Sequence, residues 1–256
     1  MTCEIEFCTD SRYRELIPEP IPAYKKFPDW YNKLDLLPKG SLVSDPETFE
    51  IYQEDSPVNV KRCHGITDFL KTGYIIPAWT DLFFREINGG LYVNWLNQGF
   101  DFENRYQFHG SEQFPTMKNK PMYGGYHKLT TPWKIKTSPG VSFLVLDPFW
   151  HNKKSFTTVP GIVHGDQFNV SMEWFFEWNH KITPGQTVND AEVIGVGEPL
   201  IMIVPFLRNS FESKIKYADS EEMVRLSQVH MKNTRDTAQS KCPYIKFKQT
   251  IGNLFR

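Results

Sequence analysis

Short apolar runs broken by proline and glycine, two-residue alternation within them, and an aromatic content of 15% point to a mainly β (α+β) protein. The expected architecture is a β-sandwich or jelly-roll core with an extended Pro-rich N-terminal arm and a C-terminal helix. The 20 Phe, 11 Tyr and 7 Trp suit pleated surfaces, while 18 Pro and 16 Gly favour many turns over a helical bundle. With 256 residues the chain can bury a substantial interior. One domain is expected over 1–256, divided into an opening strand and arm (1–57), a β-rich core (58–210) and a helix with tail (211–256).

At the start, Cys3, Ile5 and Phe7 alternate with acidic residues, so residues 3 to 8 suit an opening strand. Pro18, Pro20, Pro22 and Pro28 then hold the backbone extended until Pro28-Asp29-Trp30-Tyr31 opens a short helix. This reads as an arm anchored to the body by its aromatic side chains. Ile66 to Lys71 fit one or two helical turns that Gly73 ends. Tyr74 to Pro77 and Asp81 to Ile87 read as strands, and Asn88-Gly89-Gly90 is a turn signal between Leu82–Ile87 and Leu91–Leu96, which predicts a hairpin. From Asp101 to Met122 the chain is polar and reads as irregular.

The stretch from Trp133 to Arg208 carries the densest apolar residues and is expected to form the core. Trp133, Ile135 and Thr137 alternate with lysines, as in a strand with one wet face. Ser138-Pro139-Gly140 turns the chain into Val141–Leu146, apolar on both sides and so expected between two layers. Phe156 to Val163 reads as one strand interrupted by a bulge or edge at Pro160-Gly161. Met172, Trp174, Phe176 and Trp178 share one face of the next strand. Glu192–Ile194 and Leu200–Val204 follow, separated by the glycine turn 195–197. Asp219-Ser220-Glu221-Glu222 caps a helix to about Ala238, with Met223, Leu226 and Val229 on one face, and Tyr244–Phe247 is an edge-strand candidate.

Charge is nearly balanced, 29 Lys plus Arg against 30 Asp plus Glu, with no block of either sign, so no nucleic-acid surface is expected. The start MTCEIEFCTD lacks the basic and apolar regions of a signal peptide, and no apolar stretch is long enough to cross a bilayer. Cys3, Cys8, Cys63 and Cys242 form no Cys-x-x-Cys pair, and free thiols in a reducing cytoplasm are the expected state.

Chemistry concentrates in the run PGIVHGDQFN. On a strand, His164 and Asp166 would project to one face and could grip one metal ion, two corners of the facial triad of jelly-roll iron(II) and 2-oxoglutarate oxygenases. His109 is the further candidate ligand, Arg208 stands where a co-substrate carboxylate partner is needed, and Gln113 beside His109 is a candidate ligand-binding residue. The run also resembles the second metal motif of cupins, with Pro160 and Asn169 each displaced by one position. That class needs a His-x-His upstream, which His109, His127 and His151 do not supply. An oxygenase needs a later core histidine, for which only His180 and His230 are available. The other reading of His164 and Asp166 is a turn pair bonding to backbone.

The segments IPEPIPAYKKFPDWY, VKRCHGITDFLKTGYIIP, FHGSEQF, WKIKTSPGVSFL and GEPLIMIVPF with Arg208 are similar, in matching order, to an uncharacterised family of tailed marine phages and some bacteria. The resemblance covers most of the chain. It implies a phage or marine origin, with a host-cell cytoplasmic location, and carries no established activity, cofactor or partner. Two readings follow. One is a small-molecule-binding or non-haem iron oxygenase-like jelly roll, with or without self-association. The other is a non-catalytic phage structural or host-interaction protein.

Overall fold

The computed structural model describes residues 3–34, 41–44, 51–54, 60–87, 90–95, 106–110, 113, 125–151, 155–168, 171–179 and 192–228, with backbone alone for 41–44, 51–54 and Arg62. The chain falls into two compact units, Met1–Arg208 and Asn209–Arg256. In chain order the first strands are β1 (Ile5–Cys8), β2 (Ile21–Pro22), β3 (Ser41–Ser44), β4 (Ile51–Glu54), β5 (Tyr74–Pro77), β6 (Leu82–Ile87), β7 (Gly90–Trp95) and β8 (Tyr106–His109). The central set follows as β9 (Tyr126–Thr137), β10 (Val141–Leu146), β11 (Phe156–Thr158), β12 (Gly161–Val163), β13 (Ser171–Trp178), β14 (Glu192–Ile194) and β15 (Pro199–Leu207). Two short helices, α1 (Asp29–Lys33) and α2 (His64–Lys71), lie between the early strands.

The larger unit is mainly β, with several antiparallel sheets around a sandwich core. One sheet runs β1-β9-β13-β11, with β8 also on β9; the second runs β12-β10-β15-β5-β2. Smaller sheets β14-β6-β7 and β3-β4 complete the set among the described residues. Both main sheets feed one apolar cluster, in which Leu129, Trp174 and Phe176 meet Phe143, Ile76, Leu200 and Ile203. The alternation read in β13 is what fills it: Met172, Trp174, Phe176 and Trp178 are buried while Glu173, Phe175 and Glu177 are half-exposed. Phe84 on β6 stacks on Trp178 at 4.6 Å, and Phe156 meets Trp174 edge-on at 4.8 Å, both favoured arrangements of ring quadrupoles.

One set of polar groups inside this core is bonded across the sheets. The Trp174 indole N–H donates to Thr158 Oγ1 at 2.9 Å, and the Thr158 hydroxyl donates to the Leu200 carbonyl at 2.7 Å. The Thr158 backbone N–H donates to Asp147 Oδ1 at 2.8 Å, beside the end of β10. Burial raises the Asp147 carboxyl above the usual carboxylate range, and the Thr158 bond opposes that rise.

Several boundaries match the expectations: 74–77, 141–146 and 192–194 are strands over those residues, and the hairpin pairs Leu82 with Trp95 through Ile87 with Gly90. The expected single strand from Phe156 to Val163 is instead two strands in different sheets. Val159 N–H donates to Phe175 O at 2.8 Å, then Pro160, with no donor, releases the chain, and Gly161 pairs with Val145 of β10. Residues 106–109, expected to be irregular, form β8 against Leu129–Tyr126. The strand expected from Trp133 begins at Tyr126.

In the proline-rich segment, Ile21 and Pro22 add the outermost strand of the second sheet, where a missing N–H costs no interior ladder bond. Gly73 stands between α2 and β5 with φ of 74°, and a Cβ there would run into the Ile203 carbonyl. No helix among the described residues is long and apolar enough to cross a membrane. Cys3, Cys8 and Cys63 are free thiols; Cys242 lies outside the described residues.

In the smaller unit, residues 220–228 are helical, with the Asp219 carboxylate capping the Glu222 N–H at 2.9 Å, as the sequence leads one to expect. The rest of that helix and Tyr244–Phe247 lie outside the described residues.

Replacing Thr158 by Val keeps shape but strips the Trp174 indole and the Leu200 carbonyl of their shared hydroxyl. Denaturant unfolding is expected to show a loss of about 1–3 kcal/mol for this variant, against less than about 0.5 for Thr157→Val on the exposed neighbour. Equal effects at the two positions would refute the cross-sheet role.

Candidate functional site

The His164-Gly165-Asp166 run lies just past β12, on a turn and not on a strand. The His164 carbonyl accepts the N–H groups of Gln167 at 2.9 Å and Phe168 at 2.8 Å. Gly165 is needed by close approach: a Cβ there would sit 2.8 Å from Thr137 and 3.1 Å from the Phe143 ring. The premise of two side chains projecting from one strand face is therefore replaced by a tight turn laid over β9 and β10.

Asp166 is engaged on both oxygens. Its Oδ1 accepts from Arg208 Nη1 at 2.7 Å, its Oδ2 accepts from the Gly140 N–H at 2.9 Å, and Arg208 Nη2 closes a fork onto the same Oδ2. Arg208 Nη1 also donates to Ser142 Oγ at 2.8 Å, and Ser142 Oγ is hydrogen-bonded to His164 Nδ1 at 2.7 Å. The arginine's own N–H donates to the Gly140 carbonyl at 2.9 Å. The guanidinium holds the Asp166 carboxyl well below the usual carboxylate range, and the carboxylate raises Arg208 in turn. With 12% and 27% of the two side chains exposed, this pair is better shielded than Asp10–Arg12 at 39% and 60%. It fastens three segments together: the turn after β12, the turn between β9 and β10, and the end of β15.

Such an arrangement does not fit an iron(II) and 2-oxoglutarate centre. The carboxylate that would ligate metal is neutralised by the arginine that would hold the co-substrate, and the imidazole nitrogen nearest them is bonded to a serine. Among the described residues no group of three or more His, Cys, Asp or Glu is placed to hold a metal ion. His109 is remote from the pair. It sits on β8 opposite Tyr126, whereas Gly165 packs on Thr137 at the far end of β9. At about 3.3 Å per residue along β9 the two places are on the order of 35 Å apart. Gln113 stays with His109, its Oε1 touching Nδ1, and Phe175 meets the imidazole edge-on at 5.3 Å. His180 and His230 lie outside the described residues.

A different feature has the form of a ligand site. Beyond Phe175 no described strand pairs with β13 on the side that β11 occupies, because the chain has crossed to the second sheet. Between that free edge and β12 opens a cleft of about 210 Å³. Phe143, Val145 and Ile135 form apolar wall, Met172 and Phe175 line the β13 side, and Ile162 and Phe168 are exposed apolar residues on its rim. A register shift between Ser171 and Glu173 accompanies the neighbours Met172 and Glu173 both lining the cleft. Sequence reasoning missed this place. Its signals were Pro160-Gly161, which marked the crossing, and Phe168, an apolar residue in an otherwise polar turn.

Comparison with protein-family models and with curated proteins returned no match.

Thermal unfolding of Arg208→Ala is expected to show a midpoint several degrees below wild type, with Arg12→Ala nearly unchanged, since better-shielded pairs are costlier to break. Asp166 also fixes a pH dependence. Its folded-state value is depressed, so its contribution is complete above the unfolded carboxylate value near 3.9 and is lost as the pH falls below it. Asp166→Asn should flatten the acid limb of the stability profile; an unaltered limb would contradict the assignment.

Proposed function

We propose that the larger unit is a small-molecule-binding β-sandwich whose ligand enters the cleft between β12 and the free edge of β13. The observation that carries this reading is a cleft of about 210 Å³, almost wholly apolar, on a scaffold of paired strands. An engineered apolar cavity of about 150 Å³ holds benzene, so there is room for one substituted ring or a short chain. Exposed Ile162 and Phe168 at the rim add apolar surface for the ligand to cover. The oxygenase version of this reading lacks support, because Asp166 and Arg208 are spent on each other.

The second reading, a non-catalytic phage structural or host-interaction protein, is favoured by the smaller unit. Phe211, Ile215 and Tyr217 are 93%, 86% and 96% exposed, and Met223, Val224 and Leu226 stand half-open on the helix that follows. Apolar residues gathered in one exposed segment suit a partner surface. The resemblance to tailed-phage proteins, carried by the sequence segments alone, supports an infected host cell as the setting of either role. Light scattering and a search for the protein in purified particles separate the readings; a monomer missing from particles overturns the second.

For the first reading, a ¹³C-methyl label on methionine reports on Met172. Toluene or indole is expected to shift that resonance saturably, and Ile162→Trp at the rim is expected to weaken binding about tenfold by obstructing entry. Absence of any saturable shift at millimolar probe, or unchanged binding by Ile162→Trp, refutes the reading.

A further inference from the structure

We propose that the ligand of this cleft is a small cation, a protonated amine carried on a single apolar ring or short chain. This rests on the small-molecule-binding reading and adds the ligand's charge and polarity.

Among the described residues lining the cleft, Glu173 is the one that is charged; apart from Ser171 the others are apolar side chains or Gly161. Its side chain is half-buried, and its Oε2 accepts the Thr130 hydroxyl at 3.0 Å. Thr130 is itself buried and lies directly across the ladder from Glu173, so this bond orients the carboxylate. Among the described residues no Lys, Arg or His pairs with Glu173, and Thr130 is the hydrogen-bond donor to it. A carboxylate on an otherwise apolar wall has oxygen lone pairs to fill, and a cationic N–H donor is the partner that makes the stronger, charge-assisted bond to it.

The surrounding rings point the same way. Phe143, Phe168 and Phe175 line the cleft with Glu173, and phenyl faces attract cations through their quadrupole. An anionic ligand would meet Glu173 with no basic residue among the described lining to offset it. A neutral ligand would fill the apolar space but leave the carboxylate to water. An ammonium group on an apolar body satisfies both parts: N–H donors reach the carboxylate, and the ring or chain covers the walls formed by Ile135, Val145 and Met172.

The test compares 2-phenylethylamine, its neutral isostere 2-phenylethanol and anionic 3-phenylpropanoate, read from the Met172 methyl resonance at neutral pH and low salt. The amine is expected to bind about tenfold more tightly than the alcohol, a ratio set by charge-assisted against neutral hydrogen bonding, and the acid more weakly than either. In Glu173→Gln, which keeps an acceptor for Thr130, the amine should fall to the alcohol's affinity while the alcohol is unchanged. Raised salt should narrow the gap in the wild type. Equal affinity for amine and alcohol, or an amine advantage that survives Glu173→Gln, overturns the charge assignment while leaving the cleft as a binding site. If none of the three shifts Met172, the binding reading fails and this inference falls with it.

Discussion

The hydroxyl of Thr158 is the point on which the sandwich turns. It belongs to a three-residue strand of the first sheet, yet it takes the Trp174 indole proton and gives its own to Leu200 of the second. Apolar contact alone is non-directional and would let two sheets slide. A buried relay with fixed donors and acceptors does not, because any shift leaves polar groups without partners in a medium where that is costly. The backbone bond from Thr158 to Asp147 ties the same residue to the end of β10, so the chain is fixed just before it crosses from one sheet to the other.

That crossing shapes the rest. Once Pro160 has detached the chain from β13, no described strand pairs with that edge, and the space beside it becomes the cleft. The turn that brings the chain back is laid down on Thr137 and Phe143, close enough to require Gly165, and fastened by Asp166 to Arg208 and Gly140. The histidine and aspartate that looked like metal ligands thus serve as fittings of the frame around a site made of other residues.

Local pattern carried much of the fold. The strict alternation of β13, the apolar β10 and the Asn-Gly-Gly signal at 88–90 each point to an element by rules that act over a few residues. Where the reading failed, the deciding partner was distant. Tyr106 to His109 is too short and too polar to declare itself, and it is a strand because Tyr126–Leu129 offers it a ladder and Leu91 accepts its tyrosine hydroxyl. The run from Phe156 to Val163 shows continuous β character, and nothing local says that its halves join different sheets. The site was less legible still. Arg208 was singled out for a substrate, and Asp166 for a metal or, in the other reading, as a turn residue bonding to backbone, which its bond from the Gly140 N–H bears out; that the two side chains bind each other across 42 positions follows from topology and not from spacing. Glu173 resembled any outward-facing acid on an alternating strand, and only the free edge beside it gives its carboxylate an apolar setting.

The order in which the larger unit can assemble on the ribosome follows from its strand pairing. The second sheet has β15 between β10 and β5, and β15 is followed at once by Arg208, which holds the turn after β12. Until residue 208 has cleared the exit tunnel, β5 and β10 lack their common neighbour and the glycine turn lacks its fastener. The sandwich is therefore completed only once β15 has emerged, and until then the aromatic strands of the first sheet face an unfinished second sheet.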